Sequence, residues 1–259
     1  MRRRVQAVVF AGLIQALPAT AASPAPDARR SGFDFMTPQV QAIQRDDALN
    51  PAMLWVNDGE ALWNTEAGSS ERSCAGCHGA APSSMRGVAA RYPAFDEPSG
   101  RPVDLRQRIN LCRVSRQRAD ALPFESRDLL SLESFVAIQS RGLPITPSGD
   151  ARLQPALERG AAWFRRRIGQ LDFSCAQCHE EHAGQRLGGS VIPQAHPTGY
   201  PLYRLEWQGL GSLQRRLRNC MAGVRAEPFP YGAPELVELE LYLMQRAAGM
   251  PLEAPAVRP

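Results

Sequence analysis

Apolar residues near the C-terminal end of the chain recur at nearly helical spacing. Leu236, Leu239 and Leu243 fall on one face if the segment is helical, and glutamates alternate with them. This pattern predicts an amphipathic helix with one buried face. Helical segments are also predicted over residues 58–63 and 158–168, each leading into a cysteine motif. The pattern therefore indicates a mainly helical chain.

The same pattern occurs twice. Residues 129–144 parallel residues 236–251 at an offset of 107, and LRQRINLC (105–112) parallels LQRRLRNC (213–220) at an offset of 108. Each half is therefore predicted to contain an opening helix, a cysteine motif, a long loop, an arginine-rich segment with one cysteine and a closing helix. At an offset of 101, three pairs of opening-helix positions match: Gly59 and Gly160, Ala61 and Ala162, Trp63 and Phe164.

Two C-x-x-C-H motifs, 101 residues apart, indicate a covalent cofactor. In this pattern the two thiols can add to the vinyl groups of haem c, and the adjacent histidine ligates the iron. We therefore predict two haem c groups. The predicted fold is mainly α, with two tandem class I cytochrome c-like domains, each around one covalent haem. The motifs comprise Cys74, Cys77 and His78 in the first half and Cys175, Cys178 and His179 in the second.

Four segments are predicted along the chain. Residues 1–22 have a basic start, an apolar stretch too short to span a bilayer, and small residues for cleavage, as is typical of a signal peptide. Residues 23–50 are predicted to be an N-terminal extension that packs on the first domain or is partly loose. The first cytochrome c domain is predicted over residues 51–145 and the second over residues 146–259, with a linker rich in Gly and Pro at 141–152.

Charge narrows the functional class. The chain has 30 basic residues, all of them arginines, against 26 acidic residues. Loss of a signal peptide that contains three arginines would leave the mature chain close to neutral. No nucleic-acid-binding motif is present in the sequence. The mature protein is predicted to be exported, with no membrane span and no nucleic-acid partner.

Each iron needs a second axial ligand, for which His or Met is the usual choice. His182 follows the second motif too closely to reach the opposite face of the haem. His196 is better placed, but the first half has no matching histidine. Met85 and Met221 likewise do not match between the halves.

The two remaining cysteines do match. Cys112 lies 34 residues after His78, and Cys220 lies 41 residues after His179. This correspondence predicts His/Cys axial ligation of both irons. The alternative is a disulfide between the two cysteines, which would need Cα atoms within about 7 Å and is not expected between equivalent points of two domains. Nearby arginines are expected to lower the pKa of the ligating thiols.

Two segments of the second half carry a resemblance to a known family. They are RRLRNCMAGVRAEPFPYGAPELVELELYLMQRAAG (215–249) and GGSVIPQAHPTGYPLYRLEWQ (188–208). Together with the two haem motifs they resemble the SoxA family. Its members are dihaem subunits of the periplasmic SoxAX cytochromes of thiosulfate-oxidising bacteria, so the resemblance implies a periplasmic location.

The resemblance also implies a reaction, that of an L-cysteine S-thiosulfotransferase. Thiosulfate is joined oxidatively to a cysteine of the carrier SoxYZ, and two electrons pass through haem to the monohaem cytochrome SoxX. In the family, the cysteine matching Cys220 ligates the active-site haem and carries a persulfide. The arginine four residues earlier, Arg216 here, is assigned to the substrate. Residues four apart share a helical face, so Arg216 is expected beside Cys220.

Two other functions remain open from the sequence. One is a thiosulfate dehydrogenase that forms tetrathionate without a carrier protein, and the other is a plain dihaem electron-transfer cytochrome. Arg215 and Arg218 are interpreted as a solvated face or as partners of a haem propionate.

Overall fold

Helices make up most of the regular structure. The computed structural model describes residues 28–259, so the predicted signal peptide at residues 1–22 lies outside the described residues. Strands are confined to short two-stranded pairs and one three-stranded sheet. Within the described range, no helix combines the length and apolar character needed to cross a membrane. The predicted mainly α fold is confirmed.

The first half carries one short hairpin between its motif and its closing helix. The hairpin is antiparallel, with Asp96 opposite Arg101. Asp104 caps the helix that follows, because its side chain accepts a hydrogen bond from Gln107 N at 2.7 Å. In chain order the elements are α1 (Pro38–Arg45), α2 (Met53–Asn64), α3 (Cys74–His78), α4 (Ala81–Ser84), β1 (Ala94–Asp96), β2 (Arg101–Val103), α5 (Leu105–Cys112) and α6 (Arg127–Ile138).

The second half repeats this order and adds strands. Its hairpin has Arg204 opposite Gly209, and the first strand of that hairpin also pairs in parallel with the last strand of the chain. That strand is therefore the centre of a three-stranded sheet. The elements are α7 (Gln154–Arg165), β3 (Arg186–Leu187), β4 (Ser190–Val191), β5 (Leu202–Arg204), β6 (Gly209–Gly211), α8 (Leu213–Gly223), α9 (Pro234–Arg246) and β7 (Ala256–Arg258).

Opening and closing helices cross at a glycine in each half. A Cβ on Gly59 of α2 would lie 2.1 Å from Ser131 O of α6, and a Cβ on Gly160 of α7 would lie 2.1 Å from Glu238 O of α9. Only glycine allows backbones to approach this closely. Ser131 and Glu238 are 107 residues apart, which is the offset of the closing helices in the sequence. The two crossings are therefore equivalent, and the predicted repeat is present in the structure.

Apolar side chains around the crossings form a separate core in each half. Trp63 and Phe164, which match in the sequence, are 5% and 1% exposed and belong to different clusters. Each side chain therefore belongs to the core of its own half. The buried members are Val56, Trp63, Ala81, Leu105, Phe135 and Val136 in the first cluster and Phe164, Ala176, Leu239 and Leu243 in the second.

The halves meet around a buried arginine. Arg106 of α5 is 1% exposed, and its Nη2 donates to Asp104 at 2.9 Å and to Glu240 of α9 at 2.7 Å. Carboxylates of Glu125 and Glu133 lie within 4 Å of the same guanidinium. Burial raises the pKa of Glu133 to about 7, because the charge of Arg106 only partly offsets the loss of solvent. The first and second halves are thus joined by a charge cluster away from water.

The N-terminal extension packs chiefly on the end of the second half. Gln44 of α1 accepts a hydrogen bond from Val257 N of β7 at 3.1 Å, and Asn50 donates to Pro255 O at 3.1 Å. The contact of Gln44 satisfies a backbone group of a strand that pairs with β5, and the contact of Asn50 is to the residue directly before that strand. The predicted contact with the first domain is also present, because Asp47 pairs with Arg141 at 2.6 Å. The described part of the extension therefore contacts both halves.

The segment that joins the halves is fixed in place. Ile145 is 1% exposed and packs in a cluster with Met244 and Met250 of the second half. Its N–H donates to Met250 O at 2.8 Å, and its carbonyl accepts from Gly249 N at 2.8 Å. The predicted linker is irregular in conformation, but it holds the halves together.

We expect Gly59→Ala and Gly160→Ala each to lower the free energy of unfolding by about 1–3 kcal/mol or more, because the new methyl group would collide with a backbone oxygen. Gly189→Ala is the control, since no atom lies within 4 Å of the position that its new methyl group would occupy. Denaturant unfolding of the haem-loaded protein would measure the difference. Equal stability of Gly59→Ala and Gly189→Ala would contradict the close crossing.

Candidate functional site

The first cysteine motif is held on one short helix. Cys74, Cys77 and His78 lie on α3, which begins directly after Ser73. Ser73 caps the helix, because its hydroxyl accepts a hydrogen bond from Gly76 N at 2.9 Å. Both thiols and the imidazole are therefore presented by a single turn and a half of helix.

A cavity of about 710 Å³ lies beside this motif. Cys112, at the end of α5, contributes to its lining together with all three residues of the motif. The volume is within the usual range for cofactor sites. Two thiols, an imidazole and a further thiol around an apolar space fit haem c. Other lining residues include the apolar Trp63, Met85, Val88, Leu105, Ile109, Leu132 and Val136 and the basic Arg91, Arg108, Arg113 and Arg116.

The second motif lies on a wider helical turn. Cys175 begins the turn, whose residues Gln177–Glu181 have π-helical hydrogen bonding. Ser174 caps it, as Ser73 does in the first half, by accepting from Gln177 N at 3.1 Å. The Nδ1 atom of His179 lies 2.7 Å from Pro193 O. A carbonyl can only accept, so Nδ1 carries the proton and Nε2 keeps the lone pair that can ligate a metal.

Cys220 of α8 belongs to the same region, because the His179 side chain acts on its thiol and lowers its pKa. We call His179, Cys220 and the two motif cysteines Cys175 and Cys178 the second site. All six cysteines of the chain are free thiols in the structure, so the alternative disulfide between Cys112 and Cys220 does not form.

The corresponding residues of the first half, which we call the first site, are Cys74, Cys77, His78 and Cys112. Its ligand candidates belong to α3 and α5 and share one cavity. The two sites are therefore built from equivalent elements, and each brings a motif histidine and a lone cysteine into one region.

The lone cysteines differ in acidity. Burial raises the pKa of the Cys112 thiol, and the charges of Arg108 and Arg116 offset it only in part. Burial also opposes ionisation of Cys220, but its interaction with the His179 side chain and the charge of Arg216 outweigh it, so the pKa is lowered. The prediction that arginines lower the thiol pKa thus agrees with the structure at Cys220 and is wrong at Cys112, where desolvation is the larger effect.

Arg216 lies on α8 four residues before Cys220. Its charge lowers the pKa of Cys220 and acts on Tyr200 as well, where burial nevertheless raises the hydroxyl pKa to about 12. The guanidinium of Arg216 makes no hydrogen bond or ion pair within residues 28–259. Arg216 therefore has its full set of donors available beside the second site.

The neighbouring arginines of α8 are engaged in packing. Arg215 lies over the ring of Trp207, with its guanidinium carbon 4.3 Å from the ring centroid. Arg218 lies over Tyr231 at 4.4 Å and donates to Phe229 O. Cation–π contacts of this kind account for their position. Their packing corrects the interpretation as a solvated face, and the interpretation as partners of a haem propionate stays a prediction.

The remaining histidines are directed elsewhere. The Nδ1 atom of His196 lies 2.9 Å from Arg30 O in the N-terminal extension. His182 is exposed at the end of the helical turn of the second motif. The matched cysteines therefore remain the candidates for the second axial position at both sites.

One difference between the sites was missed in the sequence. In the first half, Arg108 Nη2 lies 2.7 Å from Asp96 Oδ1, and Asp96 is 2% exposed. An arginine replaces this aspartate in the second half. This difference could have been found by applying the offset of 108, which relates the two arginine-rich segments, to the residues before them. The equivalent pairs are Tyr92 and Tyr200, Asp96 and Arg204, and Arg108 and Arg216.

A comparison with protein families matches both halves of the chain. The family model described as "SoxA/TsdA, cytochrome c domain" matches residues 58–145 and again residues 159–252. These two matches together cover more than half of the sequence. The chain belongs to the SoxA/TsdA cytochrome c family. The family resemblance noted in the sequence and the cytochrome c fold are thereby confirmed.

Curated relatives of this SoxA/TsdA family member are named L-cysteine S-thiosulfotransferase subunit SoxA. The relative from Rhodovulum sulfidophilum is 37% identical over 90% of this chain and 81% of its own length. The relative from Pseudaminobacter salicylatoxidans is 37% identical over 88% of this chain and 80% of its own length. The relative from Paracoccus pantotrophus is 34% identical over 88% of this chain and 78% of its own length.

A solved structure agrees with this SoxA-like architecture. The crystal structure of SoxXA from P. pantotrophus has a TM-score of 0.85 and 33% identity, and the match covers 89% of this chain and 87% of that chain. As a cytochrome c domain, the SoxA/TsdA fold carries haem c, and the thiols and imidazoles of the two motifs fit that group.

We expect Asp96→Asn to lower the free energy of unfolding by about 1–3 kcal/mol at neutral pH, because it leaves Arg108 without its anion. Hydrogen bonds from Ser99 and the charge of Arg108 lower the pKa of Asp96. The stability that Asp96 provides is therefore present above the ordinary carboxyl pKa of 3.8 and is lost as pH falls through its lowered value.

Chemical denaturation at several pH values would measure this effect, with Asp172→Asn, which removes an exposed pairing to Arg167, as the control. The two variants should differ at neutral pH and converge in acid. A pH-independent difference would show that the charge of Asp96 is not what stabilises the first half.

Proposed function

We propose that the chain is a periplasmic dihaem cytochrome that oxidatively conjugates thiosulfate to a cysteine of a carrier protein resembling SoxYZ. Curated relatives at 37% identity over most of the chain carry the name L-cysteine S-thiosulfotransferase subunit SoxA, which supports this activity. The observation in the molecule that carries the proposal is that the unengaged Arg216 lies on α8 one helical turn before Cys220, and that Arg216 and His179 both lower the pKa of the Cys220 thiol.

Two haem c groups are part of the proposal. The first would be attached to Cys74 and Cys77, and the second would be attached to Cys175 and Cys178. The repeated match of the cytochrome c domain model over both halves supports two such groups. When bound, each haem supplies a one-electron acceptor held within the protein.

The axial ligands in this proposal are a histidine and a cysteine at each site. His78 and Cys112 would ligate the first iron, and His179 and Cys220 would ligate the second. The hydrogen-bonding contact of His179 Nδ1 with Pro193 O supports this role, because it leaves Nε2 free to bind metal. A thiolate ligand favours the ferric state, so both haem potentials would be low.

The second site would bind the substrate. Arg216 would hold the sulfonate of thiosulfate through its planar array of donors, which suits an anion with several acceptor oxygens. The sulfane sulfur would then point toward Cys220 and the carrier thiol. The lowered pKa of Cys220 favours the thiolate, which is the form that handles sulfur and would carry the persulfide.

The overall reaction balances as a two-electron oxidation. A carrier thiol R–SH and thiosulfate give R–S–S–SO₃⁻, one proton and two electrons. A sulfur–sulfur bond forms, and the carrier S–H bond breaks. The electrons would leave through the second site to a monohaem partner resembling SoxX. The similarity to the SoxXA structure supports a partner of that kind. The first site would conduct or store charge.

We expect Arg216→Gln to lower thiosulfate conjugation by about a hundredfold, because a charged contact to the substrate is lost. Arg108→Gln is the matched control, since it changes the equivalent arginine of the first half and should conjugate thiosulfate as the unaltered protein does. The measurement is the amount of thiosulfate adduct on the carrier protein.

The lone cysteines should differ in the same assay. Cys220→Ala should abolish conjugation, and Cys112→Ala should retain it. Mass spectrometry of the carrier protein, incubated with thiosulfate and the haem-loaded complex, would measure the product.

Two outcomes would contradict this proposal. Tetrathionate formation at full rate without any carrier would favour a thiosulfate dehydrogenase instead. Unchanged conjugation in Cys220→Ala, with only a shifted haem potential, would favour a plain electron-transfer cytochrome.

A further inference from the structure

We propose that Arg204 is a second substrate-binding arginine, which forms with Arg216 a two-cation cradle for the sulfonate at the second site. The inference rests on the proposed function and names a residue that takes part in binding the thiosulfate dianion. It also gives a physical reason why one half of a duplicated protein binds an anion and the other does not.

The position of Arg204 follows from the repeat. Asp96 ends β1 and Arg204 ends β5, and each is followed by the turn of an equivalent hairpin. In the first half, this strand end faces the arginine four residues before Cys112, since Asp96 binds Arg108 at 2.7 Å. The equivalent strand end in the second half therefore lies on the side of Arg216.

The electrostatic environment is consistent with that placement. The positive charge of Arg204 acts on both the Cys220 thiol and the Tyr200 hydroxyl, and so does the charge of Arg216. The two guanidinium groups thus act on the same two side chains from different elements, β5 and α8. An anion between them would be attracted by both.

Arg204 also has donors to offer. Its side chain is 15% exposed, and Nε lies 2.9 Å from Oε2 of Glu206, which is 66% exposed. The guanidinium stacks at 5.4 Å from the Trp207 ring centroid. Its two terminal nitrogens make no hydrogen bond to any residue in the described range 28–259. A single ion pair with an exposed carboxylate is weak and leaves the outer edge of the guanidinium available.

The backbone that carries Arg204 is fixed on both edges. β5 pairs with β6 on one side and β7 on the other, with Arg204 opposite Gly209 and Arg258. In addition, Gln44 of the N-terminal extension braces β7 by accepting from Val257 N. Among the described residues, the first-half hairpin has no third strand. Such support holds a binding residue in place before the ligand arrives, which lowers the cost of binding.

The charge balance then separates the two sites. In the first half, Asp96 neutralises Arg108, so this pair has no net charge that could attract an anion. In the second half, both equivalent positions are arginines, and the carboxylate that pairs with Arg204, that of Glu206, is 66% exposed and lies outside this pair. The pair therefore keeps a positive charge that attracts the thiosulfate dianion. Arg215 and Arg218, the neighbours of Arg216 on α8, are engaged with aromatic rings and lie outside this pair.

The test measures the dissociation constant of thiosulfate by calorimetry, using the haem-loaded complex at fixed ionic strength. Arg204→Gln should weaken binding about tenfold to a hundredfold, because one charge-assisted contact is lost. Arg204→Asp should weaken it further, because the new carboxylate would pair with Arg216 as Asp96 pairs with Arg108. Arg204→Lys should recover part of the affinity.

Arg215→Gln is the matched control, since it removes a positive charge from the same Trp207 ring and should change the dissociation constant by less than about twofold. In turnover, Arg204→Gln should raise KM more than it lowers kcat. Midpoint potentials of the haems should stay close to those of the unaltered protein.

Two results would overturn the inference. One is an unchanged dissociation constant in Arg204→Gln, and the other is a shifted haem potential with unchanged affinity, which would assign Arg204 to a haem propionate. If the unaltered protein still conjugates thiosulfate in either case, the proposed function stands and only the role of Arg204 fails. If the unaltered protein neither binds nor conjugates thiosulfate, both proposals fail.

Discussion

Close backbone contact between two crossing helices is the constraint on which each half depends. Gly59 on Ser131 and Gly160 on Glu238 let the opening helix press onto the closing helix without an intervening side chain. The closing helices then present apolar residues to the space beside each motif, such as Leu132 in the first half. A cavity for a large flat cofactor can exist in a domain of this size because the two helices beside it are fixed to each other at the glycine crossing. The cofactor then supplies apolar contacts that so short a chain lacks.

Much of this arrangement could be predicted from the sequence. Helical periodicity and two C-x-x-C-H motifs predicted the mainly α fold, the repeat and the cofactor class, and matching offsets paired Cys112 with Cys220. These features are local or repeat at a fixed distance, so they are visible without contacts. The packing position of the N-terminal extension was not predictable, because it depends on β7, a strand of only three residues. Gln44 of the extension covers the edge of this strand that does not pair with β5.

The hairpins escaped prediction for a related reason. Strands of three residues are too short for an alternating pattern to be seen, so the sequence did not indicate that Asp96 faces an arginine of the following helix. The offset of 108 places Arg204 at the position equivalent to Asp96, but it does not show what that position faces. The structure supplies that pairing. Once it is known, a single exchange of acid for base distinguishes two sites that otherwise share their caps, motifs and lone cysteines. In the proposed account, this exchange leaves Arg108 paired with an acid in the first half and places a second arginine beside Arg216 in the second half, where the anionic substrate would bind.

Mass spectrometry of peptides from the purified, haem-loaded protein tests this account most directly. It predicts one haem on the peptide that contains Cys74 and Cys77, another on the peptide that contains Cys175 and Cys178, and an added sulfur atom on Cys220. Cys112 should be an unmodified thiol. A single haem, a disulfide between Cys112 and Cys220, or the added sulfur on Cys112 instead would contradict the account.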